Sequence, residues 1–522
     1  MQYTRKNHIS YLILLLAVLL GAWIRLTPAS IAGFPVNDGG MFYSMIGDVQ
    51  NNGYALPAFT SYNQAENIPF AYPPFPLYLA AFLSTFFHFS ITAILLWLPA
   101  WISIAVLLAF YFLAKKLLDS PLQAALAALF FALTPRTISW FLMGGGLTRS
   151  FGQLFLMLTA IFAYRLFTGK KRRDLALTIL AGALVVLSHP EAAVHTVGIV
   201  LLIWCFRARN KAAFFDGIIV ALGVCVATAI WWLPVIRQHG ITPFLNAAQT
   251  GNHSISAWVP LLTFNFTEEP LVQLIAVLGL IGLFITIKKR NFFFVAWFIL
   301  PFIIEPRSAT WILTMPLAML TAIAFTDLLL PGLSTIGANP ANATPNPSYS
   351  RIALIFSGFI IAYSLLGSYA FALKMGADHL GSADEKAMDW ISHNTPPESR
   401  FLLLTGAQDP MHDAVLEWFP ALTGRESTTT LQGREWTWGK DFIPSLYGYT
   451  KLQTCAISSA PECFEQKAQT LGIDYGYIYL SIQPAKNLDA TSNPLIASLV
   501  NSNKYTLAYE QDGVYLFQAA KK

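Results

Sequence analysis

Apolar runs of roughly 17 to 25 residues recur along this 522-residue chain, each about the length an α-helix needs to cross a hydrocarbon layer about 30 Å thick. Such a pattern leaves one architecture, a bundle of crossing helices, because in lipid every backbone N–H and C=O must be satisfied within its own segment. Composition agrees: 55% of the residues are hydrophobic and 12% charged, and the mean hydropathy is +0.52, outside the balance of a water-soluble domain. The first run, Ile9 to about Thr27, is too long for a cleavable leader and lacks a small-residue cleavage site, so it reads as the first crossing. The net charge of +5 does not point to nucleic acid, because the basic residues sit in short clusters between runs.

Those clusters are Arg5-Lys6, Lys115-Lys116, Lys170-Lys171-Arg172-Arg173, Arg207/Arg209/Lys211 and Lys288-Lys289-Arg290, with Arg351 later. The excess of Lys and Arg on cytoplasmic loops assigns all of them to the cytoplasm. An even number of crossings must then separate consecutive clusters, so the run 74–92 is expected not to cross but to lie as an interfacial helix in an external loop, 29–92. A topology with 74–90 as a crossing is the alternative, and it scatters the basic clusters over both faces. The expected crossings are 9–28, 93–114, 121–135, 151–168, 175–189, 192–206, 213–233, 270–287, 292–305, 312–331 and 352–371, eleven in all. The N-terminus is then cytoplasmic, in a cell membrane. The external face holds Asp38, Glu66, Arg136, Arg149, His189, Glu191, Arg237, Glu305 and Arg307.

The crossings that end at Pro135, Pro190 and Pro306 cover only about 20 to 24 Å at 1.5 Å per residue. Proline breaks or kinks a helix at that depth, and irregular backbone below the membrane surface needs either a protein or a watery surrounding. Three such breaks suggest an outward-open cavity lined by Arg136, His189, Glu191, Glu305 and Arg307. The alternative is that the helices run on through their prolines.

Residues 332–350, GLSTIGANPANATPNPSYS, read as a flexible cytoplasmic loop. Residues 1–374 form the membrane part, and 375–522 read as a separate external α/β domain of ordinary size. Its signals are a helix over 384–394, strands through Leu404 and in GYIYL, and a hairpin across Gln511-Asp512-Gly513. Cys205 and Cys225 fall within crossings, whereas Cys455 and Cys463, in an external domain, are expected to pair. The sequons at Asn252, Asn265 and Asn342 decide nothing alone. No internal repeat, phosphate-binding Walker loop or dinucleotide fingerprint is present.

The stretch after the first crossing has a distinctive order: a lone acid (Asp38) before Gly39-Gly40, a short helix ending in Asn-Gly, then Tyr72-Pro73-Pro74. It resembles the first external loop of the GT-C superfamily of membrane glycosyltransferases. The sequence PRSATWILTMP, from Pro306, resembles those enzymes' late basic motif before a crossing. The chain is most similar in layout to bacterial or archaeal enzymes related to protein mannosyltransferases and aminoarabinose transferases. The resemblance implies a mainly α polytopic membrane protein with a small extracytoplasmic α/β domain. It also implies transfer of a sugar from a polyprenyl-(di)phosphate carrier to a glycan, lipid or protein acceptor.

Residue chemistry fits that expectation. A carboxylate beside the membrane surface can take the proton of an attacking hydroxyl, which gives Asp38 the role of base; capping the helix that begins at Gly39 is the other reading. A leaving phosphate needs a cation, and Arg307 is the first candidate, with Arg149 and Arg136 behind it. Tyr72 and Glu66 are further candidates for substrate contact. Glu191 and His195 lie one helical turn apart on a shared face with His189 near, which suits either a metal or phosphate site or buried hydrogen-bonded histidines. Many GT-C relatives carry a second acid in the next external loop as part of a metal pair. Here that loop, PRTISWFLMGGGLTRSFG, has none, which argues against a divalent cofactor. The loop 234–269, with Arg237, His239, Trp258, Glu268 and Glu269, suits a closing segment. Trp418, Trp436 and Trp438 suit either glycan contact or the core. Two rivals remain: a catalytically silent glycan-binding or assembly factor, and a lipid or sugar transporter, which calls for midplane charge pairs and inverted repeats.

Overall fold

The structure is a computed structural model that describes residues 2–118, 120–169, 171–250, 258–335, 351–481 and 493–520. The Asn252 and Asn342 sequons and the loop 336–350 lie outside them. The first half comprises α1 (Gln2–Ala32), α2 (Gly40–Asn51), α3 (Phe75–Phe87), α4 (Ile91–Leu117), α5 (Pro121–Ala132), α6 (Gly146–Gly169), α7 (Arg172–Val186), α8 (Pro190–Arg207) and α9 (Lys211–His239). After it come α10 (Thr242–Gln249), α11 (Val259–Leu262), α12 (Leu274–Lys288), α13 (Phe292–Ile304), α14 (Ala309–Ala324), α15 (Leu330–Thr335) and α16 (Arg351–Gly376). Seven of these segments are long and apolar enough to cross a membrane: α1, α4, α6, α8, α9, α16 and the combined stretch Ala309–Ser334. The chain is a multi-pass membrane protein.

Helix starts follow local chemistry. Ser90, Ser120 and Asn210 offer side-chain oxygens to the first free N–H groups of α4, α5 and α9, donors that have no partner within the helix. Pro121 and Pro190 occupy first-turn positions, where a missing N–H costs nothing.

Helix direction is fixed by side-chain pairs. Arg25 on α1 donates to Ser103 on α4 at 2.9 Å, and a Cβ on Gly21 would meet Leu107. Partners thus run in opposite order, α1 and α4 are antiparallel, and Ile91 returns to the face where α1 ended. The 13-residue α3 therefore does not cross, as the charge pattern anticipated. At the other end of the chain, Trp23 stacks on Tyr369 with centroids 4.5 Å apart, and a Cβ on Gly376 would meet Ile31. First and last crossings run parallel, which requires an odd number of passes. Eleven passes result when the short helices α5, α7, α12 and α13 join the seven long segments, α14 and α15 being joined through a π-turn at Phe325–Leu329. All basic clusters among the described residues then fall at the face opposite the one where α1 ends.

The helices stop at the three expected prolines instead of running through them. α5 ends at Ala132 before a 3₁₀ turn, Pro135–Thr137; α7 ends at Val186; and α13 ends at Ile304. Fully buried Arg25 stitches the first break, donating to the Ala132 carbonyl and to the Thr137 hydroxyl. Helix ends differ from the expected crossings by a few residues, since α1 begins at Gln2 and α6 at Gly146.

Beyond α16 the chain forms a five-stranded sheet of order β2-β1-β3-β5-β4. Its strands are β1 (Arg400–Leu404), β2 (Glu426–Ser427), β3 (Tyr477–Ser481), β4 (Tyr505–Gln511) and β5 (Val514–Ala519). β2 and β3 flank β1 in parallel, and β5 lies antiparallel between β3 and β4. Alternation assigns the two sheet faces to different cores. Leu402, Leu404, Ile478, Leu480 and Phe517 pack with Leu452, Phe464 and Leu495. Phe401, Leu403, Tyr479 and Leu516 instead join Met41, Phe42, Ile46, Tyr62, Phe70 and Trp418, so one face of the sheet shares its core with the loop that follows α1. Cys455 and Cys463 are bonded to each other.

Candidate functional site

The loop between α1 and α2 passes between Gly144-Gly145 on one side and Glu417-Trp418 on the other. Gly144 N–H donates to the Val36 carbonyl at 3.0 Å, and Gly145 N–H donates to Asp38 Oδ1 at 2.8 Å. Gly39 has φ +129°, a conformation that L side chains rarely adopt. A Cβ on Gly40 would overlap the Glu417 carbonyl, and one on Gly144 would overlap the Asp38 carbonyl. The Gly-Gly pair thus admits neighbouring protein backbone rather than open space for substrate.

Asp38 does not cap α2. The cap position is Gly39, with no side-chain hydrogen bond of its own, and the Asp38 carboxylate turns instead to α6. Its Oδ2 lies 3.7 Å from Arg149 Nη1, beyond hydrogen-bond reach. That nitrogen is buried and, among the described residues, has no hydrogen-bond acceptor. The guanidinium of Arg149 lies over Trp140 at 5.3 Å. The adjacent Thr148 shares a hydrogen bond of 3.2 Å with the Tyr72 hydroxyl, and the Tyr72 ring rests edge-on against Phe42 and Trp436.

Arg307 sits in the gap between α13 and α14. Its Nε lies 3.7 Å from Glu191 Oε1, its Nη1 donates to the Thr250 hydroxyl at 3.4 Å, and its N–H donates to Glu305 at 3.3 Å. The side chain is 46% exposed. Tyr72 is within electrostatic reach of Asp38, Arg149, Glu191 and Arg307, so these five gather at one place on the face where α1 ends.

Other expected site residues go elsewhere. Arg136 pairs with Glu268 at 3.0 Å. Glu66 pairs with Arg434 at 2.8 Å, and the Arg434 guanidinium lies against the rings of Trp438 and Tyr449. Three separate duties divide the His189, Glu191 and His195 set. His189 Nδ1 accepts the Ala192 N–H at the start of α8, Glu191 faces Arg307, and His195 Nε2 bonds the Ser308 hydroxyl at 2.8 Å. Among the described residues no three His, Cys, Asp or Glu side chains converge, and the place beside Asp38 Oδ2 is taken by a guanidinium. The described residues do not fit a resident divalent cation. In the loop 234–269, α10 reaches both Arg307, through Thr250, and the C-terminal region, where Asn246 donates to the Trp436 carbonyl at 3.1 Å. Trp258 packs on Phe302, and residues 251–257 of that loop lie outside the described set.

Two acids escaped the sequence reading. Glu417, on α18 (Ala414–Thr423) after α17 (Ser382–Asn394), is buried, and its Oε1 accepts N–H groups of Gly39 at 3.4 Å and Met41 at 3.1 Å. Burial, then the Asp38 charge, pushes its carboxyl up to about 8. Glu435 begins α19 (Glu435–Trp438) and feels both Arg307 and Arg149; burial raises it as well. The available signal was an acid embedded in the apolar stretch AVLEWFP, a place where an unpaired carboxylate is costly. Trp418 is core, fully buried, with its indole N–H donating to the Asn37 carbonyl at 3.1 Å.

Short broken helices, a long acid-bearing loop after the first crossing and a docked α/β region define a polytopic membrane protein of the GT-C fold. A family profile described as "6-pyruvoyl-tetrahydropterin synthase related domain; membrane protein" matches residues 71–370, more than half of the sequence, and the chain belongs to that family. None of the curated proteins matches it by sequence. Among solved structures it is similar to the archaeal oligosaccharyltransferase AglB of Archaeoglobus fulgidus, in complex with an inhibitory peptide and a dolichol-phosphate. That match has TM-score 0.54 and 15% identity over 91% of this chain and 70% of that one. It is also similar to ArnT from Cupriavidus metallidurans bound to undecaprenyl phosphate, with TM-score 0.57 and 13% identity over 96% and 97% of the two chains. A third match is the mycobacterial arabinofuranosyltransferase AftD, with TM-score 0.56 and 14% identity over 98% of this chain and 40% of that one. At such identities the likeness is one of fold.

Proposed function

We propose that the chain is an integral-membrane glycosyltransferase moving a sugar from a polyprenyl-phosphate or polyprenyl-diphosphate carrier to a glycan, lipid or protein acceptor. The reading puts the face where α1 ends outside the cell membrane and the basic clusters in the cytoplasm. The observation that carries it is an anchored acid beside a cation with a spare donor. Asp38 is fixed by Gly145 N–H at 2.8 Å, and Arg149 Nη1 stands 3.7 Å away, buried and without an acceptor among the described residues. In the proposed reaction an acceptor hydroxyl oxygen attacks the anomeric carbon, its proton passes to Asp38, and the bond from that carbon to the carrier's phosphate oxygen breaks. The electron pair stays on that oxygen, where Arg149 and the more exposed Arg307 offset the developing charge. The carrier lipids in the AglB and ArnT structures support the donor class.

The test uses the full chain in lipid nanodiscs with a panel of undecaprenyl-phosphate-linked sugars. Asp38→Asn is expected to cut turnover about 100-fold or more, the size of a lost general base. Arg149→Gln is expected to weaken binding of undecaprenyl phosphate about tenfold or more, the loss of one charge-assisted contact, while leaving uncharged undecaprenol unaffected. Full turnover by the Asp38→Asn protein would exclude the reading.

A further inference from the structure

The N-terminus of α2 is capped from outside its own segment. A helix start leaves N–H groups without intrahelical partners, and a polar side chain at the cap position ordinarily accepts from one of them. Gly39 occupies that position and has no side chain to do so. The acceptor comes from α18 instead: Glu417 Oε1 takes the N–H of Gly39 and of Met41, on either side of Gly40. The surrounding contacts make this a built junction. Tyr62, in the loop after α2, donates its hydroxyl to the Glu417 carbonyl at 2.7 Å, and Trp418 donates to the carbonyl of Asn37 at 3.1 Å. Asn37 Nδ2 in turn donates to Asp378 at 2.9 Å and to the His412 carbonyl at 3.0 Å. Asp38 therefore sits inside a segment, 37–41, in which the N–H groups of Asn37, Gly39 and Met41, the Asn37 carbonyl and the Asn37 side-chain amide all bond to residues 378–418. The second Glu417 oxygen, Oε2, is buried with no hydrogen-bond partner among the described residues.

Resting on the transferase reading above, we infer that Glu417 is a positioning residue: by capping α2 across the chain, it makes the aim of Asp38 conditional on docking of the C-terminal α/β region. The carboxyl group touches no reacting atom in this scheme. It fixes the peptide planes next to Asp38, so that the carboxylate meets Gly145 N–H and Arg149 together. Undocking of α18 frees the Gly39 and Met41 N–H groups and lets Asp38 turn away.

Hydrogen–deuterium exchange of the full chain in nanodiscs tests the cap without any substrate. In Glu417→Ala, exchange over 38–44 is expected to rise about tenfold or more, the consequence of freeing amides from a buried hydrogen bond. Exchange over Leu402–Leu404 should stay unchanged. Glu417→Gln keeps an acceptor oxygen and is expected to stay within about twofold of the wild type. If Glu417→Ala loosens the whole sheet, Glu417→Asp, one methylene shorter, replaces it, with the same rise expected over 38–44 alone. In the turnover assay the loosened variant should lose about tenfold or more in kcat at unchanged KM for the lipid donor, with Glu417→Gln restoring it. Unchanged exchange over 38–44, failure of Gln to restore protection, or unchanged kcat despite faster exchange would each overturn the inference. Lack of turnover by the wild type with its exchange pattern intact would count against the transferase reading and leave the cap standing.

Discussion

Glu417 carries a second consequence at the scale of a single residue. Its carboxyl is held at about 8 against an ordinary 4.5, by burial first and the Asp38 charge next, with Glu435 adding to the shift; the Tyr62 hydroxyl, bonded to the Glu417 main-chain carbonyl, is a further titratable group beside it. A raised carboxyl contributes nothing against stability below its unfolded value. As pH climbs from about 4.5 to about 8, the unfolded chain releases a proton that the folded one keeps, and folded stability falls by on the order of 4 kcal/mol. Glu417→Gln has no such proton. Its apparent Tm is expected to match the wild type near pH 5 and to exceed it by several degrees above pH 8, read by intrinsic-fluorescence melting; a gap that stays constant with pH would refute the assignment. Asp38 was legible in the sequence, since a lone acid between Asn37 and two glycines has few structural reasons to be there. Glu417 was not, because its partners are backbone N–H groups 376 to 378 positions away, and main-chain donors leave no mark in a sequence.

Among the elements, α2 offers an internal comparison between two glycines. A Cβ at Gly40 would overlap the Glu417 carbonyl and the backbone of Trp418, atoms that cannot swing aside, whereas a Cβ at Gly47 meets nothing within 4 Å. Gly40→Ala is expected to cost about 1 to 3 kcal/mol by overpacking, with faster proteolysis between α16 and α17. Gly47→Ala is expected to gain up to about 1 kcal/mol from helix propensity. Thermal melts of the two variants shifting in the same direction would contradict the described packing of α2 on α18. Elements were readable wherever one residue type decides them. The prolines at 135, 190 and 306 end or follow helices because each lacks an N–H, and the Gln511-Asp512-Gly513 hairpin needs the positive φ that Asp512 and Gly513 supply. The two-residue β2 carries too little pattern to announce itself, and it exists because β1 offers it an edge.

Across the whole molecule, the charge-based topology makes its own prediction. Ala65 lies exposed in the loop after α2, and Lys171 lies exposed between α6 and α7 on the opposite face. In a chain with Cys205 and Cys225 replaced, Ala65→Cys is expected to react with a membrane-impermeant maleimide in intact cells. Lys171→Cys should react only after permeabilisation, and the reverse pattern would invert the proposed orientation. Topology was legible because Lys and Arg clusters record the side on which each loop was retained. The gathering of Asp38, Arg149, Tyr72, Glu191 and Arg307 was legible only in part, since it depends on how five separate segments pack. The apolar seam between sheet and loop has a practical corollary. Residues 377–520 made without their membrane partner would uncover the α18 surface at Trp418, which packs on Phe34 and Tyr43, a greasy flank prone to self-association. Transplanting that portion onto another membrane body would succeed only where the recipient presents a complementary hydrophobic saddle, so the two parts of this chain are best regarded as a matched pair.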